Sequence, residues 1–216
     1  MKEDDLEPEE KVKYVATFVG DSTAGKSALI QAILNKPFPE EHVPSSFETF
    51  DLEGKFSDEK LGNFNGPVEI WDSDVTQETK LYATFKASNV IVLCFSLVDY
   101  QSYLHLVKWK NLIESQVSPN IPVVLVGTKS DKLDSAQLAR TGKSGFYSYS
   151  SANAYSKQLG CTNFLLTSAK NNDGIDEAWK EILKWKFFKY VPKPKEKGSL
   201  MDRLEKTKDN LLPYQK

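Results

Sequence analysis

The run Phe18-Val19-Gly20-Asp21-Ser22-Thr23-Ala24-Gly25-Lys26-Ser27-Ala28-Leu29-Ile30 contains the spacing G-x-x-x-x-G-K-[ST], which is typical of loops that bind phosphate groups. Glycine at the two fixed positions lets the backbone turn tightly, so that successive N–H groups point at phosphate oxygens. In such a loop Lys26 reaches the β- and γ-phosphates, and the Ser27 hydroxyl binds Mg²⁺. A helix that begins near Ser27 adds the positive end of its dipole to the same anion site.

The residues on either side of this run match the strand and the helix that a phosphate loop requires. Residues 15–19 predict a buried strand, and residues 28–34 predict a helix. A tight strand-to-helix turn with an exposed lysine is the alternative interpretation. The flanking elements favour a nucleotide-phosphate loop.

Composition and charge reduce the number of possible function classes. The chain has 216 residues, enough for one α/β domain with tails, and a formal net charge of −2. Without an overall basic field, nucleic acid is not favoured as a partner. Cys94 lies in an apolar run and is expected in the core, and the distant His42 and His105 suggest no metal cluster. With no signal-peptide pattern and no apolar run of membrane-spanning length, we expect a cytoplasmic protein.

The chain divides into three parts. Residues 1–11 are acidic and lack apolar periodicity, which predicts a flexible leader. Residues 12–190 carry one domain, and residues 191–216 form a tail in which 199–212 has the apolar spacing of a short helix. The tail shows no Cys-a-a-X prenylation motif, so we expect no lipid anchor. The basic and aromatic segment 184–197 predicts at most weak contact with an anionic membrane surface.

Strands and helices alternate along the domain, which predicts an α/β fold. The predicted strands are 15–19, 47–56, 64–71, 90–95, 122–126 and 163–167, and the predicted helices are 28–34, 100–117, 151–159 and 174–189. The second and third strands form a hairpin through Gly62, and the helix over 100–117 is inferred from spacing that includes Leu104. We therefore expect a six-stranded, mostly parallel sheet flanked by helices. Asp72 lies at the carboxyl end of a predicted strand, and ligands bind at the carboxyl ends of the strands in such folds.

Two later segments resemble the guanine-reading motifs of small GTPases. Thr128-Lys129-Ser130-Asp131 is similar to [NT]-K-x-D, and Ser168-Ala169-Lys170 is similar to S-A-K. The resemblance implies that the Asp131 carboxylate accepts hydrogen bonds from guanine N1–H and the 2-amino group, which adenine does not offer. It also implies that Lys129 braces the phosphate loop and that the Ala169 N–H points at guanine O6. A P-loop nucleoside or nucleotide kinase, the alternative class, shares only the phosphate loop.

Within the small GTPases, residues 12–190 resemble the Rho family. Residues 38–50 are similar to the Rho switch I pattern F-P-x-x-x-V-P-T-x-F-E-x-Y, which implies that Phe38 packs on the guanine edge. By the same resemblance Mg²⁺ is bound by Ser27, by Ser45 in place of a threonine and, through water, by Asp72. The residues expected to bind GTP or GDP are Asp21, Ser22, Thr23, Ala24, Gly25, Lys26, Ser27, Ala28, Phe38, Ser45, Thr128, Lys129, Asp131, Ser168, Ala169 and Lys170.

Switch II departs most from the Rho pattern. Where the family has Trp-Asp-Thr-Ala-Gly-Gln-Glu, residues 71–77 read Trp-Asp-Ser-Asp-Val-Thr-Gln. Val75 replaces the glycine whose N–H meets the γ-phosphate, and Thr76 replaces the glutamine that orients the attacking water. Ser22 replaces a loop glycine and crowds the space that this glutamine uses. With Lys26 retained, we expect slow hydrolysis unless Gln77, one position later, takes the place of the glutamine.

Three functions remain compatible with the sequence. The first is a Rho-like signalling switch or scaffold that binds GTP with Mg²⁺ and hydrolyses it slowly. The second is a switch that cycles with exchange and activating proteins, with catalysis restored by Gln77 or by a partner's residue. The third is a pseudo-GTPase that serves as an interaction module, motivated by Asp74 and Val75 beside the γ-phosphate. We expect effector proteins to bind residues 38–50 and 72–86.

Overall fold

A computed structural model describes residues 13–39, 47–73, 78–117, 121–133 and 149–187. Within these ranges one sheet contains the strands β1 (Tyr14–Val19), β2 (Glu48–Asp58), β3 (Gly62–Asp72), β4 (Val90–Ser96), β5 (Val123–Thr128) and β6 (Asn163–Leu166). The strand order is β2-β3-β1-β4-β5-β6, and neighbouring strands are parallel except for β2 and β3. The predicted six-stranded, mostly parallel sheet is confirmed.

Helices cover both faces of the sheet. They are α1 (Lys26–Ile33), α2 (Glu78–Ala87), α3 (Tyr100–Leu104), α4 (Leu106–Gln116), α5 (Tyr149–Gln158) and α6 (Ile175–Lys184). Within the described part of the chain, no helix combines the length and apolarity needed to cross a membrane. The predicted leader 1–11 and tail 191–216 lie outside the described residues.

The central strand β4 is apolar from Val90 to Phe95, and both of its faces are covered. Successive side chains of a strand point to opposite faces. Val92 therefore packs in a core layer with residues of α1 and α6, whereas Ile91 and Leu93 pack in a second layer with residues of α2, α4 and α5. All residues of β4 are buried, as expected for a central parallel strand.

The helix predicted over 100–117 is divided in two, because the backbone turns at His105 between α3 and α4. The Ser102 hydroxyl accepts a hydrogen bond from the Ser96 N–H at 3.0 Å, which fixes α3 against the end of β4. The turn leaves Leu104, which was expected in the buried stripe, 44% exposed. The apolar spacing alone did not show this break in the helix.

Two further boundaries differ from the prediction. Helix α6 ends at Lys184 and not near residue 189, because the N–H groups of Lys186 and Phe187 bond carbonyl groups three residues back, at 3.0 and 3.1 Å. This tighter turn ends the α-helical pattern. The hairpin is longer than 47–56 and 64–71, since β2 and β3 pair from Glu48–Asp72 to Asp58–Gly62. The end of the hairpin near the turn is mostly polar, so apolar and polar residues do not alternate there as they do in a strand that sequence patterns identify.

Candidate nucleotide site

The phosphate loop leaves the carboxyl end of β1, which lies between β3 and β4 in the sheet. Ligands bind at such points in open α/β sheets. Gly20 has a φ of 139°, and a Cβ atom there would collide with the carbonyl oxygen of Cys94, so the first glycine of the motif is sterically required. A short 3₁₀ turn, Ser22–Ala24, leads to Gly25 at φ 80°, and α1 begins at Lys26.

Lys26 lies inside this loop and is only 2% exposed. Its Nζ donates hydrogen bonds to the carbonyl oxygens of Gly20, at 3.1 Å, and Asp21, at 2.9 Å. A buried ammonium group needs such acceptors because desolvation is costly. The charge is thereby held at the start of α1, where the helix dipole also attracts anions.

Ser27 and Asp72 form an oxygen-rich pair between α1 and β3. The Ser27 hydroxyl donates to Asp72 Oδ2 at 2.5 Å, and Asp72 is 2% exposed. Hydroxyl and carboxylate oxygens are ligands that Mg²⁺ prefers. This donor set fits the predicted magnesium role of both residues, whereas Ser45 lies outside the described residues.

The first guanine-motif segment is tied to the phosphate loop by two side chains. Thr128 Oγ1 donates to the Ala24 carbonyl oxygen at 2.6 Å and lies 3.2 Å from that of Phe95. Lys129 has a left-handed backbone, with φ 62°, and its Nζ donates to the Thr23 carbonyl oxygen at 2.8 Å. Burial lowers the pKa of Lys129 below that of a free lysine, with a further decrease from Lys132. The predicted brace between Lys129 and the loop is present in this geometry.

The second guanine-motif segment meets Asp131. The Ser168 hydroxyl donates to Asp131 Oδ1 at 2.7 Å, and Ser168 is fully buried. The backbone of Ser168 is in turn held by paired hydrogen bonds with Asp173, at 2.9 and 3.0 Å. The side chain of Asp131 is therefore oriented by a rigid neighbour.

These segments surround a cavity of about 470 Å³, which falls in the range of small-molecule sites. The predicted binding residues on its wall are Ser22, Thr23, Gly25, Lys26, Ser27, Ala28, Phe38, Thr128, Lys129, Asp131, Ala169 and Lys170. Sequence reasoning missed the wall residues Leu29, Gln31, Pro39, Lys132 and Thr167. Pro39 occupies the second position of the switch I pattern, whereas no motif position marks the other four, which lie close to predicted residues in the chain.

Some predicted site residues are placed differently. Asp21, Ala24 and Ser168 do not form part of the cavity wall. Ala24 is fully buried and contributes its carbonyl oxygen to Thr128. Ser45, Thr76 and Gln77 lie outside the described residues, and their roles stay predictions.

The far side of the phosphate loop is bonded to α3 and α4, a set of contacts that sequence reasoning missed. Asp21 Oδ2 lies 2.7 Å from His105 Nδ1, and Asp21 Oδ1 accepts a hydrogen bond from Trp109 Nε1 at 2.9 Å. Thr23 Oγ1 donates to Asp99 Oδ2 at 2.9 Å. Burial alone would raise the pKa of Asp99, but hydrogen bonds from Thr23 and from the first turn of α3 lower it overall.

Comparison with known proteins agrees with this geometry. The family model described as "Ras family" matches residues 15–186. The chain is 30% identical to the Rho-related protein racM of Dictyostelium discoideum over 77% of its own length and 86% of the relative's. It is 29% identical to the Rho-related protein racE of the same organism, over 83% of this chain and 78% of the relative. The Rho-related GTP-binding protein RhoE of Homo sapiens is 25% identical, over 78% and 69% of the two chains.

The family match extends over most of the chain, and the phosphate loop and both guanine-motif segments lie within it. The relatives racM and racE, whose matches each cover more than two thirds of the chain, are Rho-related proteins. The protein therefore belongs to the Ras family and, within it, to the Rho-related small GTPases.

Proposed function

We propose that this protein binds guanine nucleotide with Mg²⁺ and hydrolyses GTP slowly, and that it acts as a signalling switch or scaffold in its GTP state. One observation carries the proposal: Lys26 and Ser27 of the phosphate loop share a cavity wall with Asp131 of the guanine motif. A phosphate site and a base site thus belong to one cavity.

Asp131 favours guanine over adenine. Ser168 orients its carboxylate from one side, at 2.7 Å. Guanine offers the N1–H and the 2-amino group to a carboxylate, whereas adenine offers no such pair of donors. Since a charged acceptor left without donors is costly, the expected discrimination is strong.

Ser27 and Asp72 are the described residues that fit Mg²⁺, with Ser27 binding directly and Asp72 through water. Bound Mg²⁺ supplies positive charge that neutralises the phosphate oxygens. The chain's own contribution is to hold the Ser27 hydroxyl and the Asp72 carboxylate in hydrogen-bond contact between α1 and β3. Ser45 completes the proposed ligand set.

Slow hydrolysis is proposed from the phosphate loop and from the sequence of switch II. Phosphoryl transfer in this family depends on positioning and electrostatics. Ser22 places a side chain on the cavity wall where the family has glycine, and Thr76 stands at the position of the water-orienting glutamine. Both changes impair the positioning of water more than the binding of nucleotide, for which Lys26 and Asp131 are retained.

We further propose that effector proteins bind residues 38–50 and 72–86 and that exchange or activating proteins regulate the switch. Among the described strands, β2, which includes residues 48–50, lies at one edge of the sheet, and an edge strand presents backbone groups that a partner can pair with. We place the protein in the cytoplasm, with at most weak membrane contact through residues 184–197.

Binding is tested by titration with fluorescent analogues of GDP and ADP, with and without Mg²⁺. We expect tight binding of the GDP analogue only, and a large loss in Asp131→Ala but none in Lys108→Ala, which alters an exposed side chain on α4. Equal binding of both analogues, or binding of neither, would refute the proposed guanine site.

Hydrolysis is tested by single-turnover conversion of bound GTP. We expect a rate well below that of an ordinary small GTPase, and an increase in the double variant Ser22→Gly/Thr76→Gln. An ordinary rate in the unmodified protein that is lost in Gln77→Ala would establish the conventionally cycling switch instead.

A further inference from the structure

The phosphate loop contains an acidic side chain that faces away from the nucleotide cavity. Ser22 and Thr23 line the cavity, but Asp21, directly before them, does not. Both oxygens of its carboxylate instead contact groups outside the cavity, His105 Nδ1 at 2.7 Å, just before α4, and Trp109 Nε1 at 2.9 Å, in α4. Asp21, the one acidic residue of the loop, therefore connects the side of the loop opposite the cavity to His105 and Trp109.

The direction of this carboxylate matters because the loop binds an anion. A carboxylate turned toward phosphate groups would repel them, and the repulsion is stronger in a partly buried site than in water. Asp21 is 22% exposed at its side chain, so solvent does not fully screen its charge. His105 and Trp109 keep the charge on the far side of the loop.

The two donors are themselves fixed by the fold. Trp109 is 4% exposed and packs in the core layer with Leu106 and Ile113. His105 lies at the turn between α3 and α4, and this turn directs its ring to Asp21. The neighbouring contact between Thr23 and Asp99, at 2.9 Å, adds a second bond between the loop and the start of α3.

We infer that His105 and Trp109 are positioning residues for the phosphate loop, which hold the Asp21 carboxylate away from the nucleotide phosphates. This inference rests on the proposed guanine-nucleotide function. It assigns a role to the turn between α3 and α4, which touches the loop from outside the cavity.

The first test compares the dissociation rate of a fluorescent GDP analogue from the unmodified protein and from His105→Ala, His105→Asn and Lys108→Ala. We expect His105→Ala to release the nucleotide about threefold to tenfold faster, as is typical for residues coupled to a site without touching its ligand. His105→Asn should recover most of the loss, because its amide nitrogen can donate from nearly the position of Nδ1. Lys108→Ala should behave like the unmodified protein.

A double-mutant cycle separates positioning from general stability. Asp21→Ala removes the charge that His105 restrains, so His105→Ala should have no further effect in that background. Additive effects on dissociation would overturn the inference, as would an unchanged rate in His105→Ala. Trp109→Phe, which keeps an aromatic ring and removes the donor, should also accelerate release.

Hydrogen exchange gives a readout that needs no added nucleotide. Amides of residues 20–27 should exchange faster in His105→Ala and return toward the unmodified rate in His105→Asn. If the unmodified protein bound no guanine nucleotide, the proposed function would fail, and with it the role in nucleotide retention. Normal nucleotide binding with unchanged release and exchange in the variants would overturn this inference alone.

Discussion

Replacing Thr128 by valine tests whether the guanine motif holds the phosphate loop in place. The substitution keeps the shape of the side chain and removes the hydroxyl that donates to the Ala24 carbonyl oxygen at 2.6 Å. Thr128 is 4% exposed and Ala24 is fully buried, so water does not readily replace the lost donor. A buried carbonyl oxygen that loses its donor costs about 1–3 kcal/mol, because its desolvation is no longer compensated. We expect the free energy of unfolding to fall by about 1–3 kcal/mol.

The matched control is Thr162→Val. Thr162 Oγ1 donates to the Val123 carbonyl oxygen at 3.0 Å, in a connection that does not reach the cavity. Urea unfolding at fixed GDP and Mg²⁺ measures stability, and release of a fluorescent GDP analogue measures retention of nucleotide. Thr128→Val should release it about tenfold faster, equivalent to about 1.4 kcal/mol, whereas Thr162→Val should affect stability alone. Equal release from both variants would refute the link between β5 and the phosphate loop.

Three further changes have defined outcomes. Gly20→Ala should abolish soluble expression or lower the unfolding free energy by at least about 3 kcal/mol. The φ of 139° is unfavourable for alanine, and its Cβ would collide with the Cys94 carbonyl oxygen. A normal melting temperature would contradict this prediction. Burial raises the pKa of both thiols, Cys94 and Cys161, to about 12, so both stay protonated at pH 8 and should react with a thiol reagent only after unfolding. Ser168→Ala should weaken GDP binding about tenfold, since Asp131 loses a charge-assisted hydrogen bond; titration that shows unchanged affinity would argue against its orienting role.

The fold and much of the cavity follow from local sequence signals. The phosphate-loop spacing predicted the position of Lys26, and the order of the three motifs predicted that Thr128, Asp131 and Ala169 would lie near it. The apolar run of β4 predicted a strand covered on both faces. These features depend on short segments, and local periodicity or a motif describes such segments well.

The remaining features depend on contacts between distant residues. His105 and Trp109 are 84 and 88 positions from Asp21, and no local pattern predicts that an imidazole and an indole meet that carboxylate. The same contacts accompany the break in the helix predicted over 100–117. Leu104 fits a helical apolar stripe but becomes exposed at this turn, because tertiary contacts override the periodicity.

The most direct test of a GTP-binding, slowly hydrolysing protein is the identity of the nucleotide released when the purified protein is denatured. The sample is kept with Mg²⁺ at room temperature and analysed over several hours. We predict that GTP is released and that it persists over this time. Conversion to GDP at the rate of an ordinary small GTPase would contradict slow hydrolysis. If the protein released no guanine nucleotide and bound none on titration, guanine-nucleotide binding itself would be contradicted.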